Sequence, residues 1–203
     1  MPEVLVLFYS RYGATAELAR QVARGIDSVA GAAARLRTVP PVAPVTETAS
    51  PPVPDSGAPY VDLADLERCD ALVLGSPVRF GNMAAPLKAF LDTTSALWIS
   101  GTLAGKPAGV FASGQTRHGG QESTLLSMML PLLHHGMFIV GVPFTEKSIA
   151  SPEGGGSPYG ASHVMQGAGP PRLTDAERAT AQALGRRVAG LAVALARAGH
   201  DHG

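Results

Sequence analysis

Four stretches of the chain are apolar at consecutive positions rather than at alternate ones: VLVLFY (4–9), DALVLGS (70–76), AGVFAS (108–113) and GMFIVGVP (136–143). Strands that are apolar on both faces belong in a parallel sheet with helices covering either side. A weaker run, AARLRTV (33–39), reads as a fifth strand. Between the runs, apolar residues recur at helical spacing over 15–30, 84–95, 121–133 and 174–198. The last helix opens on Thr174-Asp-Ala-Glu177, the spacing of a capping box, in which hydroxyl and carboxylate each satisfy an otherwise free amide. Its apolar positions Leu184, Val188, Leu191 and Leu195 share one face. Strands alternating with helices predict an α/β fold, a doubly wound five-stranded parallel sheet with helices on both faces.

Two segments interrupt this pattern. Residues 40–59 contain seven prolines, which cannot donate backbone hydrogen bonds, and so read as a long surface insertion. Residues 151–171 are rich in Gly, Ser and Pro and read as a second long loop before the last helix, of the kind that is either functional or without fixed structure. With no internal repeat and a length of 203 residues, a single domain spanning 1–203 is expected.

Composition adds three constraints. Charged residues make up 16% of the chain, against the roughly 25% usual for soluble domains, so part of the surface is expected to be covered. Lys plus Arg equals Asp plus Glu at 16 each, which leaves no basic field for nucleic acid and no acidic face for a basic redox partner. Cys69 is the one cysteine, which excludes an intrachain disulfide and zinc-ligand spacing; no metal and a reducing, cytoplasmic setting are expected. The start of the chain, Met-Pro-Glu running straight into a strand, carries no secretory pattern. The long apolar window from Leu125 contains Pro131, His134, His135 and Gly136, and reads as a buried helix and strand rather than a membrane span.

In an open parallel sheet, ligands bind beyond the carboxyl ends of the strands. Three loops fall there: SRYGAT (10–15), PVRFGNM (77–83) and GQTRHGGQE (114–122). Ser10, Gly13 and Thr15, entering a helix, offer hydroxyl donors, approachable amides and the positive end of the helix dipole, which together make an anion cradle. GTLAGKP (101–107) is one residue short of a Walker loop, and no G-x-G-x-x-G follows the first strand, so a single terminal phosphate fits better than a pyrophosphate. Arg79 and Phe80, beside exposed amides, suit a planar ring with polar edges such as a flavin. Taken singly, the first loop also admits the reading of an ordinary strand-to-helix turn, and Phe80 that of a core plug with Arg79 a solvated charge.

Taken together, SRYGAT, SPVRFGNM, LDTTSALWISGTLAGKPAGVF, HGGQE with LLHHGM, and GGGSPYGAS resemble the WrbA family of NAD(P)H:quinone oxidoreductases. The likeness runs from about residue 3 to 196, with 40–59 and the C-terminal tail unmatched. The resemblance implies a flavodoxin-like fold, FMN as cofactor, NADH or NADPH as reductant, a quinone as substrate, and a homotetramer whose active sites gather residues from neighbouring subunits. It implies that Ser10, Arg11, Tyr12, Gly13, Ala14 and Thr15 hold the phosphate, and that Pro77, Val78, Arg79, Phe80 and Gly81 meet the ring and ribityl chain. Ser113, Gly114, Gln115, Thr116, Arg117 and His118 form the third FMN loop by the same likeness. It places His134 beside the ring as the catalytic donor, Tyr12 at the nicotinamide and Trp98 at the quinone.

The chain departs from the family pattern at three places. Ala14 stands where a larger or polar residue is frequent, Val78 where Thr is common, and the third loop is one residue longer, with Arg117 and His118 in place of small residues. The implied reaction is hydride transfer from NAD(P)H to the flavin, then reduction of a quinone at the same face, with no protein nucleophile. A flavodoxin-type electron carrier and a cofactor-free interaction protein are the competing readings. The first of these is expected to carry an acidic face, whereas the formal charge here is zero.

Overall fold

The computed structural model describes residues 1–42, 56–151, 154–165 and 169–200. Most of the Pro-rich segment, 43–55, lies outside the described residues, as do His202 and parts of the 151–171 stretch. The strands are β1 (Glu3–Phe8), β2 (Ala33–Thr38), β3 (Ala71–Pro77), β4 (Pro107–Gly114), β5 (Phe138–Ile139), β6 (Gly156–Ser157) and β7 (Gly160–Val164). The helices are α1 (Ala14–Asp27), α2 (Leu63–Arg68), α3 (Ala85–Asp92), α4 (Ser95–Ile99), α5 (Gln121–His134) and α6 (Asp175–His200). One sheet runs in the order β2-β1-β3-β4-β7-β6, parallel except for the final pair, with β5 also paired to β4.

The unbroken apolar runs have the physical consequence read from them. Val4, Val6 and Phe8 alternate onto one face with Val73 and Phe111, under α1 and α6. Leu5 and Leu7 point the other way, with Leu72, Leu74 and Val110, under α3 and α5. The sheet is therefore buried on both faces, which leaves the loops at its carboxyl edge to meet a ligand.

Close approach of α1 to α6 depends on glycine. A Cβ on Gly185 would lie 2.2 Å from Val22 O, and one on Gly25 2.1 Å from Gln182 O. The capping box of α6 forms as read: the Glu177 amide donates to Thr174 Oγ1 at 3.1 Å, and the Thr174 amide donates to Glu177 Oε2 at 2.8 Å. Cys69 is buried, and burial pushes its thiol up to about 12, so it packs as a small apolar side chain.

The fifth row of the sheet differs from the sequence reading. Only Phe138–Ile139 of GMFIVGVP pairs with β4, at Pro107 and Ala108. The carboxyl half of β4, Phe111 to Gly114, pairs instead with Ala161 to Val164, inside the stretch read as loop. Val140 and Val142 remain buried in the core, but the Val142 amide donates to Pro158 O rather than to β4. The fifth row is thus made of two chain segments, seven strands among the described residues share the sheet, and the second segment ends beside the ligand-facing edge.

Candidate functional site

The loops after β1, β3 and β4 converge on one cavity of about 540 Å³, whose lining includes Ser10, Arg11, Tyr12, Ala14, Thr15, Pro77, Val78, Arg79, Phe80, Ser113, Gly114, Gln115 and Thr116. Its charged lining is Arg11 and Arg79, and no carboxylate lines it among the described residues. The volume lies within the roughly 300–1,000 Å³ of small-molecule sites.

The cradle end is built by the turn into α1. Gly13, at φ 88°, takes the position before the first helical residue, and no side chain caps that terminus. The first-turn amides are therefore left for an external acceptor, at the positive end of a 14-residue helix. Among the described residues, Ser10 Oγ is buried without a hydrogen-bond partner. Thr15 is 1% exposed, and its Oγ1 lies 2.8 Å from Ser113 Oγ, so the two hydroxyls share one bond and keep one proton between them for a ligand. A buried orphan hydroxyl, uncapped amides and a spare hydroxyl proton are the donor set that a phosphate monoester needs.

At the other end of the cavity, the second loop is a tight hairpin. The Arg79 amide donates to Asn82 O at 2.8 Å, and the Asn82 amide donates to Arg79 O at 2.9 Å. Its two central residues, Phe80 at φ 51° and Gly81 at φ 75°, are both left-handed. For Phe this costs about 1–2 kcal/mol. Phe80 is also 105% exposed, so it is no core plug. Arg79 Nη1 donates to Val78 O at 2.8 Å, which folds the guanidinium back along its own loop. Gly81 and Gly120 meet closely: a Cβ on Gly120 would lie 3.1 Å from Gly81 Cα. In the third loop the Gln121 amide side chain donates to Thr116 O and packs against Gly114. Arg11 stacks 5.4 Å from the Tyr12 ring centroid, and both side chains are exposed at the rim.

Several residues implied by the family resemblance lie elsewhere. Arg117 and His118 line a neighbouring cleft with Glu122, Ser123 and Gly154–Gly156. Gly13 and Gly81 shape the loops but do not line the cavity. His134 is the exposed last residue of α5, whose 14 residues carry it about 20 Å from the helix start at Gln121, two residues after the cavity-lining Gly119. Trp98, 53% exposed on α4, is held near the same end of α5, because Thr94 Oγ1 lies 2.9 Å from His135 Nε2 and the Trp98 amide donates to Thr94 O. Burial, then the neighbouring His134, holds the His135 imidazole below its ordinary value. The sequence reading missed Met165 and Gly119, which also line the cavity. Met165 follows β7, so the doubly built fifth row was the missing signal.

Comparison with known proteins agrees with this geometry. A family described as NADPH-dependent FMN reductase matches residues 4–148. The NAD(P)H dehydrogenase (quinone) of Syntrophobacter fumaroxidans is 44% identical over 202 residues, covering 96% of this chain and 99% of that protein. That of Trichlorobacter lovleyi is 43% identical with the same coverage. Among solved structures, the flavodoxin, WrbA-like protein from Agrobacterium tumefaciens superposes with a TM-score of 0.66 at 22% identity, covering 96% of this chain and 99% of that one. A flavodoxin from the domain Archaea gives a TM-score of 0.61 at 17% identity, covering 94% and 99%. At these identities the two structures speak for the fold, which is flavodoxin-like.

Proposed function

The chain belongs to the NADPH-dependent FMN reductase family and has NAD(P)H dehydrogenases (quinone) as relatives over nearly its full length, and from that premise we propose that it reduces quinones by two electrons at the expense of NADH or NADPH, through FMN seated in the cavity at the sheet edge. The observation that carries the reading is the meeting of an uncapped helix terminus with the buried Ser10 hydroxyl, unpartnered among the described residues, at a cavity of about 540 Å³ that the loops after β3 and β4 also line.

Bound FMN supplies the two-electron chemistry, accepting a hydride equivalent from the nicotinamide and delivering two electrons to the quinone. The protein binds and orients. Ser10, the Thr15–Ser113 pair and the first-turn amides of α1 hold the phosphate. The backbone of Val78 to Phe80 and of Gly114 to Thr116 meets the ring and ribityl chain. Tyr12 and Arg11, at the rim, form one side of the entrance for the nicotinamide. Developing negative charge on the ring favours donors at its polar edge.

His134 and Trp98 do not reach the cavity of their own chain, so in this reading they serve that of a second copy, as donor and as flat wall for the quinone. Leu126, Leu130 and Leu133 form an exposed apolar row along α5, and Ile99 stands exposed beside Trp98 on α4. A homotetramer that covers this row would bring His134 to a neighbour's ring. Among the described residues no helix is long and apolar enough to cross a membrane. A cytoplasmic location completes the proposal, consistent with the single buried Cys69.

The test is direct. The purified protein is expected to bind FMN and to oxidise NAD(P)H rapidly with benzoquinone and no added reductase, giving parallel double-reciprocal plots. A flavin-refractory protein, or NAD(P)H oxidation only when a separate reductase is supplied, would overturn it. Assembly mass near four chains, with His134→Ala lowering kcat but leaving FMN affinity intact, is expected for the shared site. A monomer with full activity would overturn that part alone.

A further inference from the structure

Behind the phosphate cradle lies an imidazole that the reaction does not use. His163, on β7, is 0% exposed and stands in register with Ser113 of β4, the partner of Thr15. Its Nδ1 lies 2.9 Å from Glu177 Oε2. Glu177 is itself buried and accepts two backbone bonds, from the Val164 amide at 3.0 Å and the Thr174 amide at 2.8 Å. A carboxylate with that donor set only accepts, so Nδ1 carries the proton and donates. The other ring nitrogen, Nε2, is buried with no partner among the described residues.

A capping box needs only the bond to Thr174. The additional bonds make Glu177 a clasp, holding the end of β7 at Val164 to the first turn of α6 at Thr174. Each clasped residue lies within three positions of one that touches the cradle. Met165 follows Val164, lines the cavity and donates its amide to Gly114 O at 2.8 Å. Pro171 precedes α6 and lies against Gly13, where an added Cβ would sit 3.4 Å from Pro171 Cγ. Burying a ring nitrogen without a partner is unfavourable, and an apolar residue would avoid it. What an imidazole gives this position is the bond at Nδ1.

We propose that His163 is a positioning residue for the phosphate of the flavin nucleotide: by fixing the Glu177 clasp from beneath, it seats Met165 and Pro171 against Gly114 and Gly13. The inference rests on the FMN reading above. It makes His163 matter for the phosphate end and not for the ring.

The experiment compares FMN and riboflavin binding to the full-length chain by flavin fluorescence, with the ³¹P spectrum of bound FMN, in wild type, H163L, H163N and E177Q. The Asn amide places a donor where Nδ1 stands. H163L and E177Q are each expected to weaken FMN by about tenfold or more, the scale of one charge-assisted bond, while riboflavin changes less than about twofold. H163N is expected to restore most of the FMN affinity and the wild-type ³¹P shift. Should H163L fail to fold, E177Q and H163N decide the matter. Equal loss of both flavins, or no loss of FMN, in E177Q or a folded H163L would overturn the inference while leaving the proposed function standing. Failure of the wild-type chain to bind FMN would overturn both.

Discussion

Thr15 Oγ1 and Ser113 Oγ lie 2.8 Å apart, joining the first turn of α1 to the end of β4 across 98 positions of the chain. The bond ties two of the three ligand-facing loops to each other. It also leaves one hydroxyl proton free, so the pair acts as a single donor.

From this pairing, Thr15→Ala and Ser113→Ala are each expected to weaken FMN roughly tenfold, one charge-assisted hydrogen bond. The double variant is expected to be little weaker than the worse single, because both changes remove the same unit. A double-mutant cycle on FMN dissociation constants measures this, and full additivity would show that the hydroxyls act separately.

Phe80 is strained and fully exposed. Asn tolerates the left-handed region, so Phe80→Asn is expected to raise the unfolding free energy by about 1 kcal/mol while lowering quinone turnover. Denaturant titration beside steady-state kinetics tests both halves. A loss of stability would instead mean that the ring is buried against a second copy.

Two glycines of α6 should respond in opposite senses to the same change. Gly185→Ala places a methyl 2.2 Å from Val22 O and is expected to cost about 2–3 kcal/mol as α1 and α6 are forced apart. Gly190 has nothing within 4 Å of its would-be Cβ, so Gly190→Ala is expected to gain up to about 1 kcal/mol from helix propensity. Urea midpoints of the two variants check the pair.

His135 ties stability to pH. Its folded pKa lies below the ordinary 6.5, through burial and then the charge of His134. Above 6.5 the ring is neutral in both states and its contribution is fully present. As pH falls below 6.5 the unfolded chain takes up the proton first, so stability declines until the folded value is passed. His135→Gln is expected to flatten the slope of unfolding free energy over that window. An unchanged slope would assign the pH dependence to other groups.

How much of this was legible before folding follows from the range of each interaction. Periodicity and consecutive apolar runs determined β1, β3, β4, α1, α5 and α6 almost to their ends, because a residue's burial on one or two faces is written in its immediate neighbours. The Thr174–Glu177 capping box was readable for the same reason, as were the three loops at the carboxyl edge, since in a parallel sheet the loop after each strand leaves at the same edge. The local pattern could not say which segment would pair with the end of β4. GMFIVGVP has the composition of a full strand, yet it contributes only Phe138–Ile139, and the Gly-rich Gly160–Val164 takes the rest of the edge. That choice is a competition for the same backbone donors and acceptors, settled by where each segment's side chains pack. Tertiary structure likewise decided that Thr15 is already bonded to Ser113, that Arg117 and His118 turn to a separate cleft, and that His134 ends a helix whose start lies two residues after the cavity-lining Gly119. A sequence fixes what each side chain can donate or accept; only the assembled chain fixes which partner stands within reach.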